Sequence, residues 1–81
     1  MTNEEIRAAF LEELANVAPD VDPKTVADDD HLQDDLELDS MDILNLVTAL
    51  HKRFGVDVKE AEYPRISTLA TAVPFLAERM S

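Results

Sequence analysis

A chain of 81 residues, 46% apolar but only 5% aromatic, has the length of one small domain spanning residues 1–81, with Ala, Val, Leu and Ile left to fill the core. A net charge of −11 excludes a nucleic-acid surface, and the lack of cysteine excludes disulfides, thiol nucleophiles and zinc thiolates. No apolar run has the length of a membrane span or the layout of a signal peptide, so the expectation is a cytoplasmic protein without stable membrane insertion; a monomer is expected as well.

The charge is unevenly placed. Residues 1–40 hold thirteen of the 18 acids but only Arg7 and Lys24 of the seven bases, and therefore carry the whole excess. Residues 41–81 are balanced.

Thr2-Asn3-Glu4-Glu5 has the form of a capping box, with Thr2 as N-cap and Glu5 reaching back. Ile6, Phe10, Leu14 and Val17 then recur at helical spacing, with Ala9 beside them and Glu4, Glu12 and Glu13 turned outward. Pro19 ends this first helix at about Val17 or Ala18. Residues 19–39 form a connection longer than compact domains usually use, and such loops are functional or disordered. This one keeps Val21, Val26, Leu32, Leu36 and Leu38 as apolar pegs, which predicts a loop packed over the core with one helical turn.

The second helix is predicted from Ser40 to Phe54, capped by Asp39. Ile43, Leu46, Val47, Leu50 and Phe54 fall in one stripe about 100° wide, the width of a core-facing surface. Met41 and Leu44 lie outside it, on the flank shared by Ser40, Thr48 and His51, where an apolar residue next to Ser40 suggests a docking surface. Gly55, the only glycine, follows as the left-handed C-cap, and Lys52 and Arg53 suit the negative end of the helix dipole.

Val56-Asp57-Val58 alternates but is too short for a sheet. A short helical segment is expected from Lys59 to Tyr63, ended by Pro64. Ser67 or Thr68 then caps a last helix carrying Leu69, Val73, Leu76 and Met80, with a kink at Pro74. The sum is an all-α chain of three main helices, one short helix and a long first loop.

A serine directly after an aspartate at the mouth of an amphipathic helix is placed where unpaired N–H groups and the helix dipole face an anion. By position alone Ser40 reads more simply as a helix-capping serine. A hydrolase triad with His31 or His51 lacks both a spacing that joins the groups and a nucleophile-elbow glycine pair. The acids Asp28, Asp29, Asp30, Asp34 and Asp35 lack the glycine and register of a calcium-binding loop, so no metal site is assigned.

Asp35-Leu36-Glu37-Leu38-Asp39-Ser40-Met41-Asp42 resembles the D-L-G-x-D-S-L-D signature of acyl carrier proteins, and the distances to Phe54, Val58 and Ile66-Ser67-Thr68 fit that family over nearly the whole chain. The resemblance implies a four-helix carrier bundle with no catalytic residues. It implies that Ser40 bears a 4′-phosphopantetheine arm from coenzyme A, attached by a phosphopantetheinyl transferase that Asp39 helps to engage. It further implies acyl-loading and acyl-processing partner enzymes, in fatty-acid or related polyketide or lipid synthesis. Met41, Leu44 and Thr48 then form the docking flank, and Ile43, Leu46, Val47, Leu50, Phe54, Val58 and Ile66 line an interior open to an acyl chain. An aminoacyl or peptidyl carrier, and an unmodified carrier-like interaction protein, are the alternatives.

Two departures from the pattern carry physical consequences. Glu37 stands at the usual glycine, which matters if that position needs positive φ. Beyond Asp42 the second helix has no acid, whereas fatty-acid-synthesis carriers are strongly acidic there, which favours a dedicated enzyme set.

Overall fold

The structure, a computed structural model, describes residues 1–80. The chain forms helix α1 (Asn3–Val17), a 3-10 turn (Pro23–Thr25), helix α2 (Ser40–Phe54), a 3-10 segment (Glu60–Ile66) and helix α3 (Leu69–Met80). Among the described residues there is no strand, as the short Val56–Val58 alternation implied, although Val56 and Val58 are both buried.

The N-terminus of α1 is capped from both sides. Glu5 N–H donates to Thr2 Oγ1 at 3.2 Å, and Thr2 N–H donates to Glu5 Oε1 at 2.9 Å. The bond from the Thr2 backbone holds the Glu5 carboxyl below its ordinary range, because it favours the charged form. Ile6, Ala9, Phe10, Leu11 and Leu14 are the buried face; Leu11 falls outside the periodic set read from the sequence.

α1 is the helix on which the others assemble. It packs against both α2 and α3, while α3 also packs on the Glu60–Ile66 segment. Phe10, Leu14, Leu32, Leu46, Leu50, Leu69 and Leu76 meet in the interior with no appreciable exposure. Ile43, Leu46, Val47 and Leu50 are the buried residues of α2, and Phe54 is half-buried at its edge.

The long loop is part of the core. Val26, Leu32 and Leu38 are buried, and Val21 and Leu36 pack against them from the rim. Backbone bonds tie the loop to the start of α3: Leu32 N–H donates to Ser67 O at 2.9 Å, and Ala70 N–H to Asp28 O at 3.0 Å. Short local bonds then replace regular structure, such as Ala27 N–H to Asp30 Oδ2 and His31 N–H to Asp35 Oδ2. The expected single turn is the Pro23–Thr25 segment, opened by Asp22, whose carboxylate accepts from Lys24 N–H.

Two expectations change, and the open choice of cap for α3 is decided. Glu13 is not turned outward: its carboxylate is mostly covered and accepts from Arg53 at 3.2 Å, with Glu12 3.4 Å from the same guanidinium. These bonds, the one to Glu13 foremost, raise the Arg53 pKa further above its ordinary value. The short segment is 3-10 rather than α and runs through Pro64 to Ile66, because the fixed φ of proline matches the 3-10 backbone. Thr68, not Ser67, caps α3: Thr68 Oγ1 accepts from Thr71 N–H at 3.3 Å, whereas Ser67 donates its hydroxyl back to Tyr63 O.

α3 extends past Pro74, which is exposed, as is Ala70, whose carbonyl loses its helical donor there. Phe75 was not among the residues marked by periodicity, yet it is buried, with the Arg65 and Arg79 guanidinium groups 4.9 and 4.8 Å from its ring centre.

Candidate functional site

Asp39 stops the loop and starts α2. Asp42 N–H donates to Asp39 Oδ1 at 2.9 Å, and Asp39 N–H donates to Asp42 Oδ2 at 3.3 Å. This reciprocal cap consumes the third amide of the helix and leaves those of Ser40 and Met41 without an intrahelical acceptor. Ser40 is the first helical residue and is exposed, and its hydroxyl has no hydrogen-bond partner among the described residues.

Two residues before Asp39 the backbone turns left-handed. Glu37 has φ 61°, the only positive φ outside glycine among the described residues. The conditional expectation is met: the position does use positive φ, and a side chain occupies it nonetheless. That turn lets Leu38 enter the core while Glu37 stays outside. The other left-handed residue is Gly55, at φ 70°, whose N–H donates to His51 O and closes α2.

Beside Ser40 lies a groove of about 360 Å³, lined by His31, Gln33, Ser40, Ile43, Glu60, Tyr63, Pro64 and Ser67. It is formed where the long loop, the start of α2 and the 3-10 segment converge. Of the residues assigned to an acyl-lined interior, only Ile43 reaches this groove. Leu46, Val47, Leu50, Val58 and Ile66 are buried in the packed core, with Phe54 at its margin.

Met41 and Leu44 stand on the outer flank of α2, 63% and 47% exposed. Thr48 is exposed beside them, but its hydroxyl donates to Leu44 O at 3.0 Å. What it offers a partner is therefore chiefly its methyl group. Arg53 is turned away to α1, so Lys52 and His51 are the basic residues left at the far end of the flank.

His31, Gln33, Glu60, Tyr63, Pro64 and Ser67 were not read as site residues from the sequence. They come from separate segments, and nothing in their local spacing marks a shared wall. Among the described residues no cluster of His, Asp and Glu has the arrangement of a metal site, and no helix is long and apolar enough to cross a membrane.

The exposed, unbonded Ser40 hydroxyl and the two open amides beside it fit a covalently tethered phosphate ester. A family model described as a phosphopantetheine attachment site matches residues 4–73. An acyl carrier protein of Zymomonas mobilis is 34% identical over 95% of this chain and 92% of its own length. That of Renibacterium salmoninarum is 33% identical over 94% and 93%. A mitochondrial acyl carrier protein of Arabidopsis thaliana is 33% identical over 93% of this chain and 67% of its own length. The solved structure of the Enterococcus faecalis acyl carrier protein superposes with a TM-score of 0.80 at 26% identity, covering 98% of this chain and 99% of that one. Proteins of this kind are carriers, not enzymes; they bear covalent 4′-phosphopantetheine and work with enzymes that modify them and process their acyl groups. With its capped helix, its open serine and this match along most of its length, the chain belongs to the acyl carrier proteins.

Proposed function

We propose that Ser40 is the attachment point of the phosphopantetheine arm, and that residues 1–81 act as one monomeric cytoplasmic carrier domain for fatty-acid or related specialised acyl synthesis. The observation that carries this is the Ser40 hydroxyl itself, exposed and unbonded at the first position of a helix whose next amides are open. Attachment forms a bond from Ser40 Oγ to phosphorus while the pyrophosphate link of coenzyme A breaks. The adenosine half leaves, and the hydroxyl proton passes to a base of the transferase or to water. When bound, the arm supplies a flexible tether ending in a thiol that holds an acyl group as a thioester.

The protein's own residues orient and present. The open amides of Ser40 and Met41 favour the remaining negative charge of the phosphodiester. Asp39 holds the helix start in place through its cap and puts a carboxylate next to the serine for the transferase and its magnesium ion. Met41, Leu44 and the Thr48 methyl supply the docking flank. The specialised reading rests on that flank's lack of carboxylates beyond Asp42, together with Lys52 at its far end.

The test is incubation with coenzyme A, magnesium and a broad-specificity transferase, read by intact mass. The expected result is a gain of one arm, abolished by Ser40→Ala. A protein left unmodified by several transferases would instead be an interaction module. An aminoacyl group on the protein isolated from its host would indicate a nonribosomal carrier.

A further inference from the structure

A second groove flanks the start of α2 and shares no residue with the one beside Ser40. It holds about 320 Å³ where the end of α1, the first loop and Asp42 converge. Val17, Ala18, Val21 and Leu36 form its floor, half-buried against the core. Asp20, Glu37 and Asp42 line it as well, and no lysine, arginine or histidine does.

The groove is one-sided in charge. Asp20 and Glu37 are exposed, and their carboxylates have no hydrogen-bonding or ionic partner among the described residues. α1 ends here without a base in its last turn. Pro19 has no N–H to offer the Ala15 carbonyl, and no backbone amide beyond the helix reaches the carbonyls of Asn16 and Val17. The negative end of the α1 dipole therefore lies beside the same carboxylates. Arg7, Arg53 and Arg79 do not neutralise it, being held by Asp28, by Glu12 and Glu13, and by Glu62.

An apolar floor beneath open carboxylates and carbonyls suits a long side chain with an aliphatic stem and a cationic head. Arginine suits it better than lysine, because a guanidinium donates in several directions at once. The position of the groove says which protein brings that arginine. Asp42 both lines the groove and caps the helix that Ser40 opens, so an enzyme that reaches the Ser40 hydroxyl also meets this groove. The far end of α2 offers such an enzyme no counter-charge, since beyond Asp42 the helix has no acid and ends in His51, Lys52 and Arg53.

We propose, on the basis of attachment at Ser40, that this groove receives an arginine of the transferase that modifies the serine, with Asp20 and Glu37 as specificity-determining contacts. The partner's attraction is thereby placed at the end of α1 and in the loop rather than along α2.

The test uses the full chain with the transferase of its own host, coenzyme A and magnesium. Asp20→Asn and Glu37→Gln remove charge and keep shape. Each is expected to raise KM about 2–5-fold at low salt, the range of an exposed ion pair, with kcat unchanged. Added salt should narrow that difference. Isotope-labelled carrier titrated with the transferase should show NMR shifts at Ala18, Asp20, Val21 and Glu37. KM values unchanged in both variants, or shifts confined to Met41, Leu44 and Thr48, would overturn the proposal while leaving attachment intact. Absence of any mass gain on the wild-type chain, with this or a broad-specificity transferase, would instead refute attachment at Ser40, and this proposal with it.

Discussion

Asp39 and Asp42 bind each other's backbone amides, at 2.9 and 3.3 Å, and so hold Ser40 between them at the open end of α2. The pair makes the serine the first residue of a capped helix rather than the last residue of the loop. Replacing Asp39 by Ala is expected to cost about 1 kcal/mol, a fall in Tm of about 4–8 °C for a domain this small. Asp39→Asn keeps an acceptor oxygen and should restore most of that stability. If both variants are then modified equally slowly by a transferase, the carboxylate charge contributes to catalysis by the partner separately from the cap. Thermal unfolding and transferase kinetics on the two variants together check this.

Glu37 and Gly55 share a left-handed backbone, and substitutions at the two should act in opposite directions. A side chain in that region costs roughly 1–2 kcal/mol, partly offset in a glycine variant by the greater freedom of the unfolded chain. Glu37→Gly should therefore stabilise the fold by about 0.5–1 kcal/mol. Gly55→Ala should destabilise it by about 1 kcal/mol through backbone strain alone, since an added Cβ meets nothing within 4 Å. Urea midpoints measure both; a destabilised Glu37→Gly would mean that the Glu37 side chain makes a compensating interaction.

Leu32 lies in a segment without regular structure but has no exposed surface. Truncation to Ala is expected to cost about 2–5 kcal/mol, as much as Leu46→Ala in the middle of α2. Such a loss is a large share of the stability of any small domain. Equal shifts in denaturation midpoint would establish that the loop and the helices unfold as one unit. A small effect at Leu32 alone would separate them.

The depressed Glu5 carboxyl links α1 to acid stability. A group whose folded pKa lies below its unfolded value contributes fully above the unfolded pKa, near 4.5 here, and loses its contribution as pH falls through the folded value. Glu5→Gln should thus destabilise the protein at neutral pH and flatten the acid side of its stability profile. Urea unfolding of both proteins across the acid range reads the difference. Curves that stay parallel would show that the cap does not titrate with the fold.

The outer flank of α2 should matter to partners and not to folding. Met41→Ser with Leu44→Ser is expected to alter stability by only about 0.5 kcal/mol, since both side chains already face solvent. The same change should raise the KM of the carrier for its transferase. Introducing the missing acids with Asn45→Glu and Lys52→Glu should improve charging by an ordinary fatty-acid-synthesis enzyme. If that charging is unchanged, the neutral flank is not what selects the partners.

The helices were legible in local pattern because each is amphipathic and capped by its own neighbours. Thr2 with Glu5, Asp39 before Ser40, and Gly55 after Phe54 all act within one turn, so sequence spacing suffices to place them. The same locality made the exposed flank of Met41 and Leu44 readable, and with it the position of Ser40. Glu37 was legible as a question, since its backbone angle depends on how Leu36 and Leu38 are drawn toward the core. Pro64 misled about the short segment because proline breaks an α-helix but fits a 3-10 turn.

What residue order alone settled, then, was where α1 and α2 begin and that Ser40 stands first in α2. Tertiary structure decided the rest. It brought Glu13 under Arg53, set Arg65 beside the Phe75 ring, and brought His31, Gln33, Glu60 and Tyr63 around a groove at Ser40. Those relationships join separate segments, and only the packing of α1, α2, α3, the loop and the 3-10 segment on one another makes them neighbours.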